Sequence, residues 1–345
     1  MGAKRRIIPV FVPHMGCPNQ CVFCNQRKIS GQKQGITEES ARNTIEDGLR
    51  KCPHDLPIEI AFYGGSFTAI GLELQNMLLR LAAGYIKKGN VDTIRISTRP
   101  DAVDRECIAR LRSYGVTTVE IGAQSLDPDV LSKSGRGHTD TDIVRACGLI
   151  QEGGLQLIIQ MMTGLPGDTR LKSLKTAEKI CELHPDGVRI YPTVILRDTP
   201  LFDMWMGGRY EEHSIEDAVS LCAEIVPLFE RNGITVIRVG LNPNEELSGG
   251  EAAAGAYHPA LGELVRSRIR RQELTDLLKN VPAGASVIIS VPDDNLSQYI
   301  GQHRGNILFL EEIFKLNKLT IQGSNVNEAQ IISVSGQSVA GPVKN

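Results

Sequence analysis

The sequence predicts an α/β protein built from repeated β-strand and α-helix pairs. Short apolar runs recur up to about residue 240, and they are near-continuous rather than alternating, which is typical of strands buried on both faces of a parallel sheet. Stretches with the 3.6-residue period of an α-helix lie between them. This alternation favours an open doubly wound sheet or a barrel. The seven predicted strands cover residues 7–12, 58–63, 93–97, 117–121, 155–161, 187–191 and 234–239.

The helical stretches between these strands are predicted from their apolar period. Residues 38–49 follow Thr37 and residues 215–231 follow Ser214. A Thr or Ser hydroxyl at the N-cap accepts a hydrogen bond from the first turn of a helix, so both residues predict helix starts. Further helices are predicted over 72–86 and 105–111.

The loops after four of the strands are rich in glycine and polar residues. Because the carboxyl ends of parallel strands meet at one edge, where a barrel places its active site, we expect the functional residues in these loops. The loops begin with Gly-Gly-Ser-Phe at 64–67, Arg-Pro-Asp at 99–101, Gly-Ala-Gln-Ser at 122–125 and Thr-Gly-Leu-Pro-Gly at 163–167.

The pattern changes after residue 240. Residues 242–255, rich in Asn, Glu and Gly, predict an ordered loop or linker, and residues 260–279 predict one amphipathic helix. A strand over 286–290, a helical stretch broken near Gly301 and Gly305, and a strand over 319–322 predict a small α/β module. We therefore expect a main domain, an extension, this module and a frayed tail, at residues 1–240, 241–280, 281–325 and 326–345.

The composition is that of an ordinary folded protein, with 41% hydrophobic and 23% charged residues among 345. The net charge of −2 provides no global attraction to nucleic acid, so any such binding needs a local basic patch. No apolar run approaches the roughly 20 residues of a membrane helix, and the basic start of the chain is not followed by the apolar stretch of a signal peptide. We expect a cytoplasmic protein that does not bind membranes.

Three cysteines, Cys17, Cys21 and Cys24, lie close together after the first predicted strand. In a reducing compartment they form a ligand set rather than a disulfide framework, and thiolates favour zinc, copper(I) or iron–sulfur. The spacing favours an iron–sulfur cluster, with unligated thiols or a structural zinc site that includes His14 as the alternatives. The other cysteines are expected to be small core residues: Cys52, Cys107, Cys147, Cys181 and Cys222.

The cysteine motif, with Phe23 before its last cysteine, resembles the radical S-adenosylmethionine (SAM) superfamily, and Gly64-Gly65 resembles that superfamily's glycine motif. The resemblance covers about residues 5–270 and implies a partial (β/α)6 barrel of the TIM type. Further motifs resemble the radical SAM core of the Elongator catalytic subunit family: Thr98-Arg-Pro-Asp, Glu120-Ile-Gly-Ala-Gln-Ser, Gly135-Arg-Gly-His-Thr, Gly164-Leu-Pro-Gly, Arg189-Ile-Tyr-Pro-Thr and residues 255–265.

The resemblance implies two cofactors, a 4Fe–4S cluster held by the three cysteines and SAM bound at its open iron. Electron transfer from the reduced cluster would cleave SAM to methionine and a 5′-deoxyadenosyl radical, which abstracts hydrogen from the substrate. Phe23 belongs to the implied cofactor site. Gly64 and Gly65 belong to it as well, because a residue without Cβ lets the backbone approach a ligand closely.

A more distant similarity to oxygen-independent coproporphyrinogen oxidase-like enzymes implies four residues that contact SAM: Ser97, Gln124, Arg136 and Gln160. Arg136 is the expected partner of the SAM carboxylate through a charge-assisted hydrogen bond. Acidic residues of that branch stand where this chain has Ser97 and Gln160. A hydroxyl or an amide can still hydrogen-bond a ribose, but these departures count against porphyrin chemistry.

No catalytic residue is assigned beyond one candidate, Tyr191, which ends a strand at the expected active edge and is expected to face substrate. His138 is expected in a turn at the start of a helix rather than in catalysis. Met161 and Met162 are expected in the core or against adenine.

Two features bear on the substrate. Four arginines in one predicted helix are candidates for RNA phosphate contacts or for a solvated face: Arg266, Arg268, Arg270 and Arg271. Residues 291–306 resemble the KH modules of a bacterial transcription-elongation factor, in which a Gly-x-x-Gly loop clamps a nucleic-acid backbone. Gly301 matches the first glycine, but Arg304 occupies the second position, so we expect a degenerate KH-like module that either binds RNA or only packs.

The sequence therefore predicts a radical SAM enzyme that modifies RNA, with tRNA the favoured substrate and a ferredoxin or flavodoxin as electron donor. An acetyltransferase domain of the Elongator type is not expected within these 345 residues. Two alternatives remain: a radical SAM enzyme that acts on a small molecule or a tetrapyrrole, and a cluster-containing RNA-binding protein without catalysis.

Overall fold

The computed structural model describes residues 5–12, 17, 21–25, 35–53, 56–242 and 250–335. The chain divides into two units. The first contains the chain up to Ala218 and Ile225–Pro259, and the second contains the chain from Ala260 onwards together with Val219–Glu224. Within the described ranges, every helix is too short or too polar to span a lipid bilayer.

A seven-stranded parallel sheet forms the first unit, and its strands follow the order of the chain. The seven predicted apolar runs correspond to these strands, because a parallel sheet covered by helices buries both faces. The strands are β1 (Arg6–Val12), β2 (Ile58–Gly64), β3 (Thr93–Thr98), β4 (Val116–Gln124), β5 (Gln156–Thr163) and β6 (Gly187–Pro192), then, after the short β7 (Val194–Leu196) outside this sheet, β8 (Thr235–Val239).

Each of the first six strands is followed by at least one helix, and β8 completes the sheet. This is the partial (β/α)6 barrel that the resemblance implied, and the prediction is confirmed. The helices are α1 (Glu38–Lys51), α2 (Leu72–Lys87), α3 (Arg105–Ser113), α4 (Pro128–Lys133), α5 (Asp140–Glu152), α6 (Arg170–Glu182), α7 (Pro200–Met206) and α8 (Ile215–Arg231).

Both predicted N-caps are present. The Thr37 side chain accepts a hydrogen bond from Ser40 N at the start of α1, and the Ser214 side chain accepts one from Asp217 N at the start of α8. These bonds satisfy donors that a helix cannot satisfy within its own first turn.

A short antiparallel pair lies outside the barrel sheet of the first unit. Strand β7 pairs with β9 (Ala252–Gly255), so part of the segment predicted as a loop or linker is a strand. Val194 and Leu196 form a small core with Leu241, Ala252 and Tyr257. The apolar side chains of these short strands explain why they pair in a segment otherwise rich in polar residues.

The second unit is a small α/β module preceded by a long helix. The elements are α9 (Leu261–Leu278), β10 (Ser286–Pro292), α10 (Leu296–Ile300), α11 (Gly305–Ile313), β11 (Lys318–Ser324) and β12 (Gln330–Ser335). The strands form a three-stranded mixed sheet in the order β11-β10-β12, in which β10 is parallel to β11 and antiparallel to β12. The predicted break in the helical stretch lies between α10 and α11.

The predicted tail from residue 326 contains an ordered strand, since β12 pairs with β10 over Gln330–Ser335. The physical reason is its run of β-branched residues, two of which, Ile331 and Val334, stand opposite Ile289 and Val287 of β10. Ile331 packs against the core of the module. The rest of the predicted tail, residues 336–345, lies outside the described residues.

Candidate functional site

The cysteine-rich segment follows β1, and Cys17 and residues 21–25 of it are described. Cys24 N donates to Cys21 O at 3.0 Å, which closes a turn. Val22 N donates to Ser134 O at the end of α4, and Leu201 N at the start of α7 donates to Val22 O at 2.8 Å. The turn that carries two of the predicted ligands is therefore held between two helix ends. Residue His14 of the alternative zinc site lies outside the described residues.

Two arginines place positive charge beside the cysteine thiols. Arg136 Nη1 donates to Cys21 Sγ at 3.1 Å, and Cys21 is buried. Arg99 is held by Asp101 through two hydrogen bonds, at 2.9 and 2.7 Å. Burial raises the pKa of the Cys17 thiol above its ordinary value, and the nearby Arg99 offsets only part of that rise. The arginine charges favour the thiolate form that a metal cluster requires.

Gly64 ends β2 with a backbone that only glycine adopts readily. Its φ is +103°, and a Cβ at this position would lie 3.0 Å from Val12 O. Gly65 N donates to the same carbonyl oxygen at 2.7 Å. The turn after β2 is thus drawn against the end of β1, next to the segment that carries the cysteines.

Three of the predicted SAM-contacting side chains converge around Gly122 in β4. An ideal Cβ on Gly122 would lie 2.9 Å from Gln124 Nε2, 3.4 Å from Arg136 Nη2 and 3.8 Å from Gln160 Oε1. Arg136 Nη2 also donates to Gly122 O at 2.6 Å. Strand register explains the meeting, because Gly122 pairs with Gln160 of β5. The absence of a side chain at residue 122 leaves the space in which the three polar groups meet.

Gln124 has two properties of a ligand-binding residue. Its backbone is left-handed, with φ of 68°, a conformation that costs a residue with a side chain about 1–3 kcal/mol. Its Oε1 atom is buried and makes no hydrogen bond in the described structure. A buried amide oxygen without a donor is unfavourable, so a ligand with an N–H or O–H group would satisfy it.

Two further predicted cofactor residues, Ser97 and Phe23, are not among the side chains that meet at Gly122. Ser97 is half-buried and pairs in register with Glu120, whose carboxylate accepts a hydrogen bond from Gln160 Nε2. Ser97 therefore lies on β3 beside the Glu120 position of β4. Phe23 lies half-buried in the cysteine turn. No ring contact of Phe23 occurs among the described residues.

The barrel interior contains a charge network that the sequence analysis did not identify. Arg95 Nε donates to Glu59 Oε2 at 2.8 Å, and Arg95 Nη1 lies 3.5 Å from Glu120 Oε2. Arg189 Nε contacts Glu120 Oε1 at 3.1 Å and Arg189 Nη2 donates to Tyr63 OH at 3.3 Å. Burial acts to lower the pKa of Arg189, but the Glu120 carboxylate together with Tyr191 and Tyr63 outweighs burial, so the pKa is raised. The available signal was a charged residue inside each of four strongly apolar strands.

Tyr191, the candidate catalytic residue, ends up half-buried in β6 beside this network. Burial raises the pKa of its hydroxyl above the ordinary value, and the nearby Arg189 offsets only part of that rise. His138 lies in the turn before the N-cap Thr139 of α5, as expected. It is buried, its Nε2 lies 3.4 Å from Ala123 O, and burial lowers its pKa to about 4, so the ring is neutral.

Comparison with known proteins identifies the family. The model of the radical SAM superfamily matches residues 11–180, and the model of the radical SAM C-terminal domain matches residues 185–271. The chain belongs to the radical SAM superfamily. This family implies a 4Fe–4S cluster and SAM.

Named relatives of this radical SAM chain point to one subgroup. Elongator complex protein 3 of Homo sapiens is 28% identical over 208 residues, covering 54% of this chain and 38% of the human protein. The tRNA uridine(34) acetyltransferase of Dehalococcoides mccartyi (strain CBDB1) is 27% identical over 257 residues, covering 64% of this chain and 56% of that protein. The chain thus spans 38% to 56% of the length of these two relatives.

A solved structure shows the same fold as the radical SAM chain. The archaeal Methanocaldococcus infernus Elp3 with an N-terminal deletion matches with a TM-score of 0.65 at 22% identity, covering 82% of this chain and 66% of that chain.

The residues around Gly122 and the cysteine turn fit the two groups that the radical SAM family implies. Across the described ranges, which are interrupted on both sides of Cys17, no three His, Cys, Asp or Glu side chains are grouped closely enough to hold a metal ion. The chemistry of the donor set nevertheless fits a cluster, since three thiols share one segment beside two arginines. The unpaired Gln124 Oε1 and the Arg136 guanidinium suit a ligand with amino and carboxylate groups.

The barrel edge of this radical SAM chain includes one further polar group, at the end of β5. His213 Nε2 lies 3.1 Å from Thr163 Oγ1, and the Tyr210 hydroxyl donates to Gly164 O. Asp168 accepts hydrogen bonds from Gly164 N at 2.9 Å and from Ser173 Oγ. Burial lowers the pKa of His213 and raises that of Asp168. These bonds fasten the segment before α8 to the loop after β5.

The candidate RNA-binding arginines in the second unit are half-buried rather than fully exposed. Arg270 donates to Glu273 Oε1 at 2.6 Å and lies 5.2 Å from the Tyr299 ring centroid. Arg271 lies 4.2 Å from the Phe309 ring centroid. The guanidinium groups of these two side chains pack within the unit, and their contact with RNA phosphates stays a prediction. Arg266 and Arg268 stay candidates.

The Gly301 loop has the backbone of a Gly-x-x-Gly loop in part. Gly301 has φ of 76°, and a Cβ there would lie 3.0 Å from Asn306 N. Arg304, which stands at the second glycine position, has φ of 61°, and its side chain is exposed. The arginine thus adopts a left-handed backbone that glycine adopts at lower cost.

Proposed function

We propose that this radical SAM enzyme modifies RNA, with tRNA as the favoured substrate. The observation that carries the proposal is the similarity to the tRNA uridine(34) acetyltransferase of Dehalococcoides mccartyi, which extends over 64% of this chain. Because the chain covers 56% of that relative, the proposal carries over the class of substrate and not the whole reaction. The proposal for this chain does not include acyl transfer.

In this proposal Cys17, Cys21 and Cys24 hold a 4Fe–4S cluster beside Arg99 and Arg136. When bound, the cluster and SAM together supply one-electron reduction and hydrogen-atom abstraction. The two arginines stabilise the thiolate form of the ligands through their positive charge.

The polar group around Gly122 is proposed to orient SAM. The Arg136 guanidinium already reaches both Cys21 Sγ and Gly122 O, so it is placed to donate to a carboxylate beside the cysteines. Gln124 Oε1 has no hydrogen-bond partner among the described residues and is available to accept from an amino group or a hydroxyl. Gln160, together with Ser97, is proposed to bind the ribose hydroxyls, while Gly64 and Gly65 let the backbone approach the ligand.

The Gly301 loop is proposed to contact RNA phosphates. Its exposed side chains include His303 and Arg304, and both residues have left-handed backbones. An exposed arginine on a strained loop, three residues after Gly301, where an added Cβ would meet backbone, matches the pattern of a loop that contacts a nucleic-acid backbone. Arg266 and Arg268 are further candidates for phosphate contacts.

Anaerobic reconstitution of the full chain with iron and sulfide tests the proposal. The reduced protein is incubated with SAM, and 5′-deoxyadenosine is measured with and without bulk tRNA. We expect iron incorporation, deoxyadenosine formation and a severalfold rise in its rate when tRNA is added.

Cys24→Ala should abolish deoxyadenosine formation, and Cys52→Ala, in a half-buried cysteine at the end of α1, serves as its matched control. A protein that binds zinc and forms no deoxyadenosine would contradict the radical mechanism. Deoxyadenosine formation that tRNA leaves unchanged, and that a tetrapyrrole or another small molecule stimulates, would overturn the RNA substrate alone.

A further inference from the structure

Positive charge exceeds negative charge in the barrel interior. Three guanidinium groups lie beside two carboxylates there: Arg5 and Arg95 reach Glu59, and Arg95 and Arg189 reach Glu120. Arg95 Nη1 is buried and makes no hydrogen bond in the described structure, although Glu120 Oε2 lies 3.5 Å away. A buried donor without an acceptor is unfavourable, so the interior lacks oxygen acceptors as well as negative charge.

Arg238 brings a fourth guanidinium group to this interior. It stands on β8 in register with Arg189 of β6. Because paired residues of neighbouring strands point to the same face of a sheet, Arg238 shares the face that carries Arg189. Its charge also acts on Tyr191. The ion pairs formed among the described residues do not include Arg238. Partial burial of this additional charge is unfavourable unless an anion offsets it.

Three side chains of this region stand at the carboxyl edge of the barrel. Tyr63, Tyr191 and Arg238 are each the next-to-last residue of their strands, β2, β6 and β8. All three are half-buried, and barrels bind their ligands at this edge. The Glu120 carboxylate of the same network accepts from Gln160 Nε2, so the network borders the proposed SAM site.

The two tyrosines add hydroxyl donors to the guanidinium groups. Arg189 Nη2 donates to Tyr63 OH at 3.3 Å, and the Tyr191 hydroxyl also accepts a hydrogen bond from Arg189. Burial raises the pKa of both hydroxyls, so each keeps its proton near neutral pH. A hydroxyl that accepts from a guanidinium still has its own proton to donate. The region therefore suits a ligand group that is negatively charged and has several oxygen acceptors.

We infer that these two tyrosines, together with Arg189 and Arg238, bind an anionic oxygen group of the substrate, either a phosphate or a carboxylate. The assignment of this anion to the substrate rests on the proposed function, whereas the excess of guanidinium groups does not. The SAM carboxylate has a different proposed partner, Arg136 beside the cysteine turn. A phosphate would belong to the proposed RNA substrate, and a carboxylate would belong to a small molecule.

Two probes distinguish the sources of the anion. A single-stranded RNA hexamer carries phosphodiester groups, and succinate carries carboxylates. Each is titrated by isothermal calorimetry into the full reconstituted chain in the presence of SAM, with the cluster oxidised so that no turnover occurs. Chloride at equal ionic strength is the reference, because salt screens nonspecific attraction. We expect one of the two probes to bind saturably.

Arg238→Gln should weaken the binding of that probe about 10- to 100-fold, because a charge-assisted hydrogen bond is lost. Tyr63→Phe, which keeps the ring, should weaken it about 10-fold. Two matched controls should bind the probe as the parent does: Arg231→Gln, at the exposed end of α8, and Tyr85→Phe, whose hydroxyl donates to Glu46. All four variants should keep the SAM affinity of the parent, and thermal unfolding verifies that each is folded.

Weaker binding of the RNA by Arg238→Gln and Tyr63→Phe supports a phosphate, and weaker binding of succinate supports a carboxylate. If neither probe binds beyond chloride, or if both variants bind both probes as the parent does, the inference is overturned. If Arg238→Gln loses affinity for SAM, this guanidinium belongs to the SAM site, and the inference is overturned as well.

The proposed function is judged separately, by deoxyadenosine formation in the parent and its response to tRNA. A parent that forms deoxyadenosine faster with tRNA, while the variants bind both probes unchanged, contradicts the anion site alone. A parent that forms no deoxyadenosine but binds a probe through Arg238 contradicts the proposed function, and the anion site stands on its own test.

Discussion

Replacing Gly122 with alanine adds one methyl group at the point where three proposed SAM contacts meet. The new Cβ would lie 2.9 Å from Gln124 Nε2 and 3.4 Å from Arg136 Nη2. The first distance is too short for a real contact, so the Gln124 amide must move, and the Arg136 guanidinium must shift by a few tenths of an ångström. The backbone of β4 accommodates alanine, because Gly122 is not among the glycines with positive φ.

The size of the effect follows from the groups that move. A hydrogen bond to a charged group contributes about 1.5–3 kcal/mol, so the loss of one contact from Arg136 or Gln124 to SAM weakens binding by about 10- to 100-fold. The free energy of unfolding should change by less than about 1 kcal/mol, because the displaced atoms are the ends of side chains and not backbone. Isothermal titration of the reconstituted Gly122→Ala protein with SAM measures the first quantity, and urea unfolding measures the second.

Gly148→Ala is the matched control, since Gly148 lies within α5 and an added Cβ meets no atom of the described residues within 4 Å. Its SAM affinity should equal that of the parent, and its stability should rise by up to about 1 kcal/mol because alanine favours the helix. A Gly122→Ala protein with the iron content and SAM affinity of the parent would refute the assignment of SAM to this group.

Three other changes test the site and the second unit. Cys24→Ala should lower the iron content after reconstitution, while Cys52→Ala should not, as iron analysis would show. Burial lowers the pKa of His138 to about 4 in the folded chain, whereas its ordinary value is 6.5. On acidification from pH 7 to pH 5, the free energy of unfolding should therefore fall by about 2 kcal/mol more in the parent than in His138→Asn, as urea unfolding would measure. An equal fall in both proteins would exclude a neutral buried ring. Gly301→Ala should destabilise the protein by about 1–3 kcal/mol, because φ of 76° with ψ of 162° is a conformation for glycine. Gly305→Ala, where an added Cβ meets nothing, should remain within about 0.5 kcal/mol in the same thermal unfolding experiment.

The barrel could be predicted because its signals are local and repeated. Each strand is a short apolar run, and each helix between the strands shows a period or a cap that does not depend on distant residues. Thr37 and Ser214 cap the helices that they were expected to cap. The strand β12 was not predicted from the sequence, because its pairing partner, β10, lies about 40 residues earlier in the chain. In addition, apolar and polar residues alternate too weakly along β12 to indicate a buried face.

The site could be predicted in part. Gln124, Arg136 and Gln160 were proposed from resemblance, and the structure brings them together because β4 and β5 pair in register at Gly122. Their side-chain partners could not be derived, since these depend on which face of each strand points into the barrel.

The arginine-rich helix shows what charge spacing leaves open. Four arginines within six residues suggested a phosphate-binding face, but the position of a guanidinium depends on what its long apolar stem covers. Arg270 and Arg271 each find an aromatic ring of the same unit, Tyr299 and Phe309. An aromatic ring competes with a phosphate for the guanidinium, and no pattern within the helix alone reveals that competitor.

The charge network inside the barrel is best explained by what it does to Gln160. Two carboxylates, Glu59 and Glu120, lie in this network, each beside two arginines. Arg95 reaches both carboxylates, Arg5 Nη1 lies 3.4 Å from Glu59 Oε1, and Arg189 reaches Glu120. Burying such groups costs several kcal/mol per ion, and apolar residues would stabilise the barrel equally well. The Glu120 carboxylate, held by Arg95 and Arg189, accepts from Gln160 Nε2, which leaves Gln160 Oε1 on the side of Gly122. The network thereby fixes which atom of the Gln160 amide faces the proposed SAM site. Apolar residues in the barrel interior could not orient this amide, because they offer no hydrogen-bond acceptor.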